Sequence, residues 1–284
     1  MRVLLATCAG DRVDPDGPVL LAALAAEGLE ARLAVWDDPR ESWEDALVVV
    51  RSTWDYTSRR EAFLAWARAV PRLLNPYPVV EYSSDKRYLV DLARRGVPVV
   101  ESLVVEVGET PALPEGDLVV KPVVGAGSMD AARYGPDERD AARAHVARLH
   151  RAGRAALVQP YVASVDAEGE VAVVVIDGEV SHLMRKGAML NTDELERTWL
   201  YRFEQMALAP RDPALERLAL AVLDEVVGLA DEPPLYARVD LVRTEADWAV
   251  LELELVEPSL FLGFHPPAAR RLAAAVRARL ERPA

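Results

Sequence analysis

Hydrophobic and polar positions form their most informative pattern in residues 235–262. Two apolar runs, 235–242 and 248–256, are separated by a short and mainly polar segment, 243–247. Runs of this length, rich in Val and Leu and divided by a polar turn, predict an antiparallel hairpin in the middle of a sheet.

Charged side chains interrupt both apolar runs, at Arg238, Asp240, Glu252 and Glu254. Successive strand residues point to opposite faces, so Arg238 shares a face with Asp240. Glu252 shares a face with Glu254 for the same reason. Ionised groups are rarely buried unless they are paired or hold a metal, so coinciding faces would suggest a site for a hard cation. An amphipathic hairpin whose acidic face meets water explains the pattern equally well.

The first part of the chain alternates β-rich apolar runs with helical ones. This β-α-β-β-α-β order predicts a small open parallel α/β sheet, which we place in an N-terminal domain of residues 1–82. The predicted strands are 2–6, 31–36, 46–50 and 73–75, and the predicted helices are 19–27 and 61–70.

Two loops, 7–16 and 51–56, follow the carboxyl ends of these strands, where open α/β sheets bind their ligands. Arg51 comes directly after an apolar strand, so we expect it to bind the carboxylate of a substrate, with Asp55 and Tyr56 nearby. The alternative is an ion pair between Arg51 and Asp55 at the strand end, which would be purely structural.

Residues 83–162 form the second predicted domain, which begins with a lysine at the start of a helix. Ser84 or Asp85 can cap a helix over 86–95, so Lys86 lies in its first turn. The helix dipole disfavours a cation there unless an anion joins it, because exposed N–H groups and a lysine together make a phosphate site. Taken by itself, a solvated lysine is the simpler interpretation.

A lysine and a glycine-rich loop end the strand predicted at 117–122. Lys121 lies in an otherwise apolar run, so it needs a charged partner if it is buried. Gly125 and Gly127 allow positive φ angles and close backbone approach, as a loop that folds over phosphates requires. The segment matches neither the P-loop nor the dinucleotide-binding pattern, so this signal is weak by itself.

A second β-hairpin is predicted around an Asp177-Gly178 turn, which is a strong two-residue hairpin signal. Arg185 and Lys186 place two cations at the end of its second strand. Residues 187–205 are polar and irregular, which is typical of a lid or a substrate loop. The remaining predicted elements are strands 99–107, 156–162, 170–176 and 179–186, and helices 136–151, 213–229 and 267–282.

Composition narrows the classes of function. The 284 residues carry a formal net charge of −13, so a nucleic-acid backbone is not an expected partner. No apolar run approaches the length of a membrane span, so we expect no membrane partner either. Cys8 is the single cysteine of the sequence, so an internal disulfide is impossible and a cytoplasmic location is expected.

Taken together, these motifs resemble the ATP-grasp superfamily over essentially the whole chain. The matching segments, in order, are SDK, VVKPVVGAGS, LVQPYV, EGEVAVVVIDGEVSHLMRK and ARVDLV…LELELVEP. The resemblance implies an ATP-grasp fold of mixed α/β and α+β class, in which an N-terminal open parallel α/β domain precedes two α+β subdomains that clamp ATP. It places the substrate-side domain at 1–82, the subdomain with the glycine loop at 83–162, and the subdomain with the metal hairpin at 163–284.

The resemblance also implies a role for each matching residue. The implied ATP-binding residues are Lys86, Lys121, Gly125, Gly127, Ser128, Gln159, Tyr161, Val162 and Glu170. Of these, Gln159, Tyr161 and Val162 would border the adenine, largely through backbone groups. The implied catalytic residues, acting at the γ-phosphate and the acyl phosphate, are Arg185, Lys186 and Arg238. The implied ligands of two Mg²⁺ ions, for which Mn²⁺ is an alternative, are Asp240, Glu252 and Glu254.

Within the superfamily, RSTWDY, DGEVSH and LELELVEPSLFL most resemble the D-cycloserine-forming cyclo-ligase and its relatives. Two features depart from the common pattern: Glu-x-Glu stands where Glu-x-Asn is commoner, and no glycine-rich substrate loop follows Arg185-Lys186. The resemblance implies an ATP-dependent ligase that activates a small-molecule carboxylate as an acyl phosphate and joins it to an amine or related nucleophile, releasing ADP and phosphate. An intramolecular cyclo-ligase, a small-molecule kinase and a non-catalytic nucleotide-binding regulator are the alternatives, and a homodimer is compatible with each.

Overall fold

The computed structural model describes residues 2–10, 14–187, 206–230 and 232–282. Within these residues the strands form three sheets, one parallel and two antiparallel, which follow one another along the chain. The predicted lid or substrate loop therefore falls almost entirely outside the described part of the chain. None of the described helices is long and apolar enough to cross a membrane.

The N-terminal sheet contains β1 (Arg2–Thr7), β2 (Ala31–Val35), β3 (Ala46–Ser52) and β4 (Leu73–Leu74), with helices α1 (Gly17–Ala26) and α2 (Arg60–Ala69). All strand pairs are parallel, in the order β2-β1-β3-β4. β1 and β3 lie in the middle, where both faces are covered, and their side chains are correspondingly almost all apolar. The parallel α/β sheet predicted from the sequence is confirmed.

The second sheet belongs to a segment that contains α3 (Tyr77–Ser83), α4 (Tyr88–Arg94), β5 (Leu103–Val105), β6 (Leu118–Pro122), β7 (Ala132–Tyr134), α5 (Arg139–Arg151) and β8 (Ala156–Pro160). It is antiparallel, in the order β5-β8-β6-β7, and α5 packs on one face of it. The helix predicted over 86–95 begins instead at Tyr88, and α3 was not predicted. β7 was missed as well, because its three half-buried residues show no alternation of apolar and polar positions.

The third segment contains α6 (Ser164–Glu168), β9 (Glu170–Ile176), β10 (Glu179–Lys186), β11 (Met206–Ala209), α7 (Pro213–Val227), β12 (Tyr236–Arg243), β13 (Trp248–Glu254) and α8 (Pro266–Leu280). Its sheet is antiparallel, in the order β11-β10-β9-β12-β13. Both predicted hairpins are confirmed. The β12–β13 hairpin was predicted in the middle of the sheet, which is wrong for β13 because it is the last strand in the order.

The register of the β12–β13 hairpin brings its charged residues together. Arg238 pairs with Glu254, Asp240 pairs with Glu252, and the register shifts directly after Asp240. The two faces that carry charge therefore coincide. A shift of this kind bends the bulged strand and increases its twist, and it is common next to active sites.

Asn75 ties the N-terminal sheet to this hairpin. This residue directly follows β4, and its side chain is fully buried. Its amide nitrogen donates to the carbonyl oxygens of Tyr236 at 2.9 Å and Leu255 at 2.8 Å, and its amide oxygen accepts from the backbone N–H of Leu235 at 2.7 Å. One side chain therefore satisfies backbone groups at the start of β12 and just after the end of β13, and it fixes the hairpin against β4.

We expect the substitution Asn75→Ala to lower the free energy of unfolding by about 3 kcal/mol, because three buried backbone groups lose their partners. Chemical denaturation followed by both far-UV circular dichroism and tryptophan fluorescence measures this loss. The control is Glu245→Gln in the exposed turn of the hairpin, which should stay within about 0.5 kcal/mol of the parent protein. A loss below about 1 kcal/mol for Asn75→Ala would contradict the tie between sheet and hairpin.

Candidate active site

A cavity in the described part of the chain is lined by segments associated with each of the three sheets. Its wall consists of the glycine-rich loop after β6, the end of β8, the β12–β13 hairpin and the loop after β3. The predicted site residues that line it are Tyr56, Lys86, Lys121, Gly125, Gly127, Ser128, Gln159, Tyr161, Val162, Glu170, Lys186, Arg238, Asp240, Glu252 and Glu254. Residues predicted to bind ATP, metal and substrate therefore surround one space.

Three carboxylates share one wall of the cavity. Oxygen atoms of Asp240, Glu252 and Glu254 all lie within 4.8 Å of one another. Asp240 is only 2% exposed, and all three side chains face cationic groups. The interpretation of the hairpin as an amphipathic element whose acidic face meets bulk water is therefore wrong.

Two cations neutralise Asp240. Nζ of Lys186 lies 2.7 Å from Oδ2 of Asp240 and 2.8 Å from Oε2 of Glu170. Arg238 donates from Nε and Nη2 to Asp240 at 2.9 and 3.0 Å, and from Nη2 to Glu254 at 2.5 Å. Burial raises the pKa of Asp240, but Arg238 and Lys186 together hold it below its usual value. Asp240 is consequently ionised at neutral pH.

Lys86 neutralises Glu252. Its Nζ lies 2.8 Å from Oε1 of Glu252 and donates to the carbonyl oxygen of Gly125 at 2.6 Å, while its backbone N–H donates to Val123 at 2.8 Å. Lys86 is 8% exposed, so the interpretation as a solvated lysine is wrong. Burial alone would raise the pKa of Glu252, but Lys86 and then Lys121 lower it to about 2.

Glu254 is less fully neutralised than its neighbours. Burial raises its pKa to about 7, and the repulsion from Glu252 and Asp240 adds to this effect while Arg238 opposes it. Glu254 therefore holds its proton to a higher pH than Asp240 or Glu252 does. Carboxylate oxygens are the preferred ligands of hard divalent cations, so this donor set fits Mg²⁺.

The glycine-rich loop is anchored at its far end. Gly127 and Ser128 have φ angles of 59° and 57°, and Asp130 has a φ angle of 58°. The Asp130 carboxylate accepts from Arg148 on α5 at 2.9 Å and from Arg154 at 2.7 Å. No pattern in the sequence indicated this anchor, because charged residues are frequent throughout the segment.

The residues predicted to border adenine lie at the end of β8. Gln159 is buried and donates to Oγ of Ser102 at 2.9 Å, and the hydroxyl of Tyr161 donates to Asp166 at 2.5 Å. Val162 follows directly and also lines the cavity. Because the polar side-chain atoms of this segment have partners elsewhere, the geometry agrees with recognition of a base largely through backbone groups.

Arg185 lies outside the cavity. It is next to Lys186 on β10, and since adjacent strand residues face opposite sides, only Lys186 points toward the acidic cluster. Arg185 is exposed and donates from Nη1 to the carbonyl oxygen of Glu168. The structure therefore contradicts a direct catalytic contact by Arg185.

Arg51 is also absent from the cavity wall. Its side chain is 1% exposed, with Nε 3.7 Å from Oδ2 of Asp14 and Nη2 3.4 Å from Oδ2 of Asp16. The guanidinium also lies 5.6 Å from the ring centroid of Tyr236. The structure therefore contradicts the expectation that Arg51 contacts a substrate directly.

Asp55 has other partners than the one predicted for it. Its carboxylate accepts from the indole nitrogen of Trp36 at 2.9 Å and pairs with Arg59, so the Arg51–Asp55 ion pair is not formed. Asp55 does not line the cavity, which contradicts its expected substrate contact. Tyr56, the next residue, does line the cavity.

Sequence reasoning missed the function of Asp16. Its carboxylate accepts from the backbone N–H groups of Leu260 at 2.6 Å and Leu262 at 2.7 Å. These bonds hold the segment after β13, so that Ser259 and Phe261 reach the cavity wall. The contact joins residues more than two hundred positions apart, and no local pattern predicts it.

Glu257, whose role the sequence left unplaced, also lines the cavity. Its carboxylate makes no hydrogen bond or ion pair with any described residue. Burial and then the neighbouring Glu254 raise its pKa to about 8. In the ligand-free protein Glu257 therefore holds its proton to a higher pH than an exposed glutamate does.

Comparison with known proteins identifies relatives of the whole chain. A family model described as the N-terminal domain of D-cycloserine synthetase DcsG matches residues 3–75. The cycloserine biosynthesis protein DcsG of Streptomyces lavendulae is 40% identical over 285 residues, covering 95% of each chain. The crystal structure of D-cycloserine synthetase DcsG has a TM-score of 0.92 at 38% identity, covering 99% of this chain and 100% of that one. An ATP-grasp RimK domain protein of Sphaerobacter thermophilus shares the fold, with a TM-score of 0.66 at 20% identity and coverage of 98% and 99%.

The raised pKa of Glu257 predicts how the stability of the ligand-free protein depends on pH. In the folded state Glu257 holds a proton that it releases in the unfolded state above its ordinary pKa of 4.5. The free energy of unfolding therefore falls as pH rises from about 4.5 toward about 8. Glu257→Gln should therefore unfold at a similar denaturant concentration to the parent at pH 4.5. At pH 8.5 we expect it to be more stable by on the order of 2 kcal/mol.

Chelator-treated protein is required for this measurement, because a bound cation would offset the charge. Glu245→Gln serves as the control and should follow the parent protein at both pH values. A stability difference between Glu257→Gln and the parent that does not change with pH would contradict the burial of an uncompensated carboxyl group.

Proposed function

The chain belongs to the family of the cycloserine biosynthesis protein DcsG, within the ATP-grasp ligases, and on this premise we propose that it closes a ring within one substrate molecule. It is an ATP-dependent, ADP-forming ligase that joins a carboxylate to an amine. The ring amide of D-cycloserine joins a carboxyl carbon to the nitrogen of an aminooxy group in the same molecule. An aminooxy amino acid is therefore the proposed substrate, and D-cycloserine or a close analogue is the proposed product.

One observation carries the proposal: the wall formed by Asp240, Glu252 and Glu254 is interleaved with Lys86, Lys186 and Arg238. Phosphoryl transfer needs little covalent chemistry from the protein but strong stabilisation of charge at the phosphates. This wall combines fixed cations with carboxylates that suit a divalent ion. No nucleophilic side chain is required for such a reaction.

In the first step the substrate carboxylate attacks the terminal phosphate of ATP and forms an acyl phosphate, with ADP as the leaving group. We assign to Lys86 and Arg238 the neutralisation of the charge that develops on the transferred phosphoryl group. In the second step the aminooxy nitrogen attacks the acyl carbon, and phosphate leaves. Because both reacting groups belong to one molecule, the protein needs only to hold it folded back on itself.

Asp240, Glu252 and Glu254 are the residues that would hold Mg²⁺, which when bound supplies positive charge at the phosphates of ATP. Two ions are proposed. A Mg²⁺ ion that also binds phosphates usually takes only one or two carboxylates, and three carboxylates are grouped here. Mn²⁺ is expected to substitute, since it accepts the same oxygen ligands.

Exclusion of water is assigned to the loop from Gly125 to Ser128. An acyl phosphate that meets water is hydrolysed, so a cover over the phosphates protects the intermediate. Hydrogen bonds from Arg148 and Arg154 to Asp130 fix the far end of this loop. Its glycines are then the residues whose backbone can adjust. A cytoplasmic location is also proposed, since buried Cys8 is the single cysteine of the sequence and a reducing compartment suits it.

The direct test supplies ATP, Mg²⁺ and O-amino-D-serine, the aminooxy acid obtained by opening the ring amide of D-cycloserine. We expect D-cycloserine, ADP and phosphate in equal amounts and without a second amine, measured by chromatography and mass spectrometry. AMP and pyrophosphate among the products would contradict the acyl-phosphate route. A product that forms only when a separate amine is added would show an intermolecular ligase instead.

The substitution Glu252→Gln tests the acidic wall. It preserves the size of the side chain but removes one ligating charge and the partner of Lys86, so turnover should fall by about a hundredfold or more. ATP should still bind within about tenfold of the parent affinity in calorimetry, since the base contacts are untouched. Glu245→Gln is the control with the same chemical change outside the cavity. Full activity of Glu252→Gln would remove the hairpin from the reaction.

A further inference from the structure

Glu257 is the cavity carboxylate that lacks a cationic partner among the described residues. It lies three positions after the end of β13 and is partly exposed to the cavity. The other carboxylates of the cavity each contact a cation at 2.5 to 2.9 Å. A carboxylate that is withdrawn from bulk water without a partner is costly, so a ligand that supplies positive charge is expected there.

The position of Glu257 along the cavity indicates which ligand this is. Glu252 contacts Lys86, whose Nζ also donates to the glycine-rich loop at 2.6 Å. Val256, directly before Glu257, and Val50 of β3 accept hydrogen bonds from the same tyrosine hydroxyl. The carboxylates therefore succeed one another from the glycine-rich loop toward the loop after β3. Glu257 lies on the side away from the loop assigned to the phosphates of ATP.

We propose that Glu257 binds the ammonium group of the substrate and thereby selects an amino acid over a plain carboxylic acid. The inference rests on the proposed ring closure and names the residue that determines its specificity. A substrate carboxylate that reacts beside Glu252 and Glu254 carries its α-ammonium group only two bonds away.

Two other roles for Glu257 fit the geometry less well. A metal ligand should join the group of carboxylates whose oxygens lie within 4.8 Å of one another, and Glu257 is not in that group. A purely structural carboxylate should have a hydrogen bond or an ion pair, and none links Glu257 to the described residues.

A matched pair of acids tests the proposal. O-amino-D-serine and 3-(aminooxy)propanoic acid both contain the carboxylate and the aminooxy nucleophile, and they differ only in the α-ammonium group. The parent protein should favour the amino acid in kcat/KM by on the order of 100-fold. In Glu257→Gln this preference should fall to within about threefold of unity, mainly through a higher KM for the amino acid, with the KM for ATP unchanged.

Glu257→Asp retains the charge and should restore part of the preference, while Glu245→Gln should keep all of it. An equal loss of kcat/KM for both acids in Glu257→Gln would leave the preference unchanged and would overturn the proposal. A loss of kcat with an increased requirement for Mg²⁺ would overturn it as well, in favour of a metal-ligating role.

Binding of the two ring products separates this proposal from the proposed function. Calorimetry with MgADP present should show that the parent protein binds D-cycloserine about tenfold or more tightly than isoxazolidin-3-one, which lacks the amine, and that Glu257→Gln does not discriminate. If the parent protein turns over neither acid, ring closure fails, but this measurement still decides the role of Glu257. Equal affinity of the parent protein for both ring compounds would overturn the assignment.

Discussion

Burial of like charge within an apolar sheet is the constraint on which this structure depends. Asp240 and its two glutamate neighbours occupy one face of a hairpin whose remaining residues are mainly Val, Leu and Ala. Two carboxylates 4 Å apart repel by about 4 kcal/mol at an effective dielectric constant of 20, so the arrangement persists only with cations between them. Arg238 comes from the same strand, Lys186 from β10, and Lys86 from the turn between α3 and α4. Three separate parts of the chain must therefore be in place before the wall is stable.

Two carboxylates of the cavity, Glu254 and Glu257, are only partly neutralised by its cations. Their pKa values are raised to about 7 and about 8, because burial and neighbouring carboxylates outweigh the attraction of Arg238 and, for Glu257, of Lys86. Binding of positive charge beside these groups would therefore stabilise the protein. The divalent ions proposed at the hairpin and the ammonium group proposed at Glu257 would supply that charge in different places. The unfavourable interactions among these carboxylates would be relieved when such ligands bind.

Several charged residues of the N-terminal segment hold the cavity wall in place. Arg51 and Asp16 are buried outside the wall, and Asp16 holds the segment after β13 by accepting from two backbone N–H groups. Asn75 does the same for the ends of the hairpin. Tyr56 is the predicted substrate-loop residue that reaches the cavity. The loop after β3 therefore reaches the cavity through Tyr56, while its charged residues Arg51 and Asp55 contact other protein groups.

The sequence by itself determined the elements whose signal is local. Alternation of apolar and polar residues predicted both hairpins, and the acidic cluster followed because its members lie close together on two adjoining strands. Only the tertiary structure decided the partner of each charge, since Lys86 meets Glu252 and Asp16 meets Leu260 across long stretches of chain. The tertiary structure also decided burial: Lys86, which by itself was expected to be solvated, is a buried residue of the cavity wall. Such contacts depend on which strand lies beside which, and on the desolvation that only a packed core imposes.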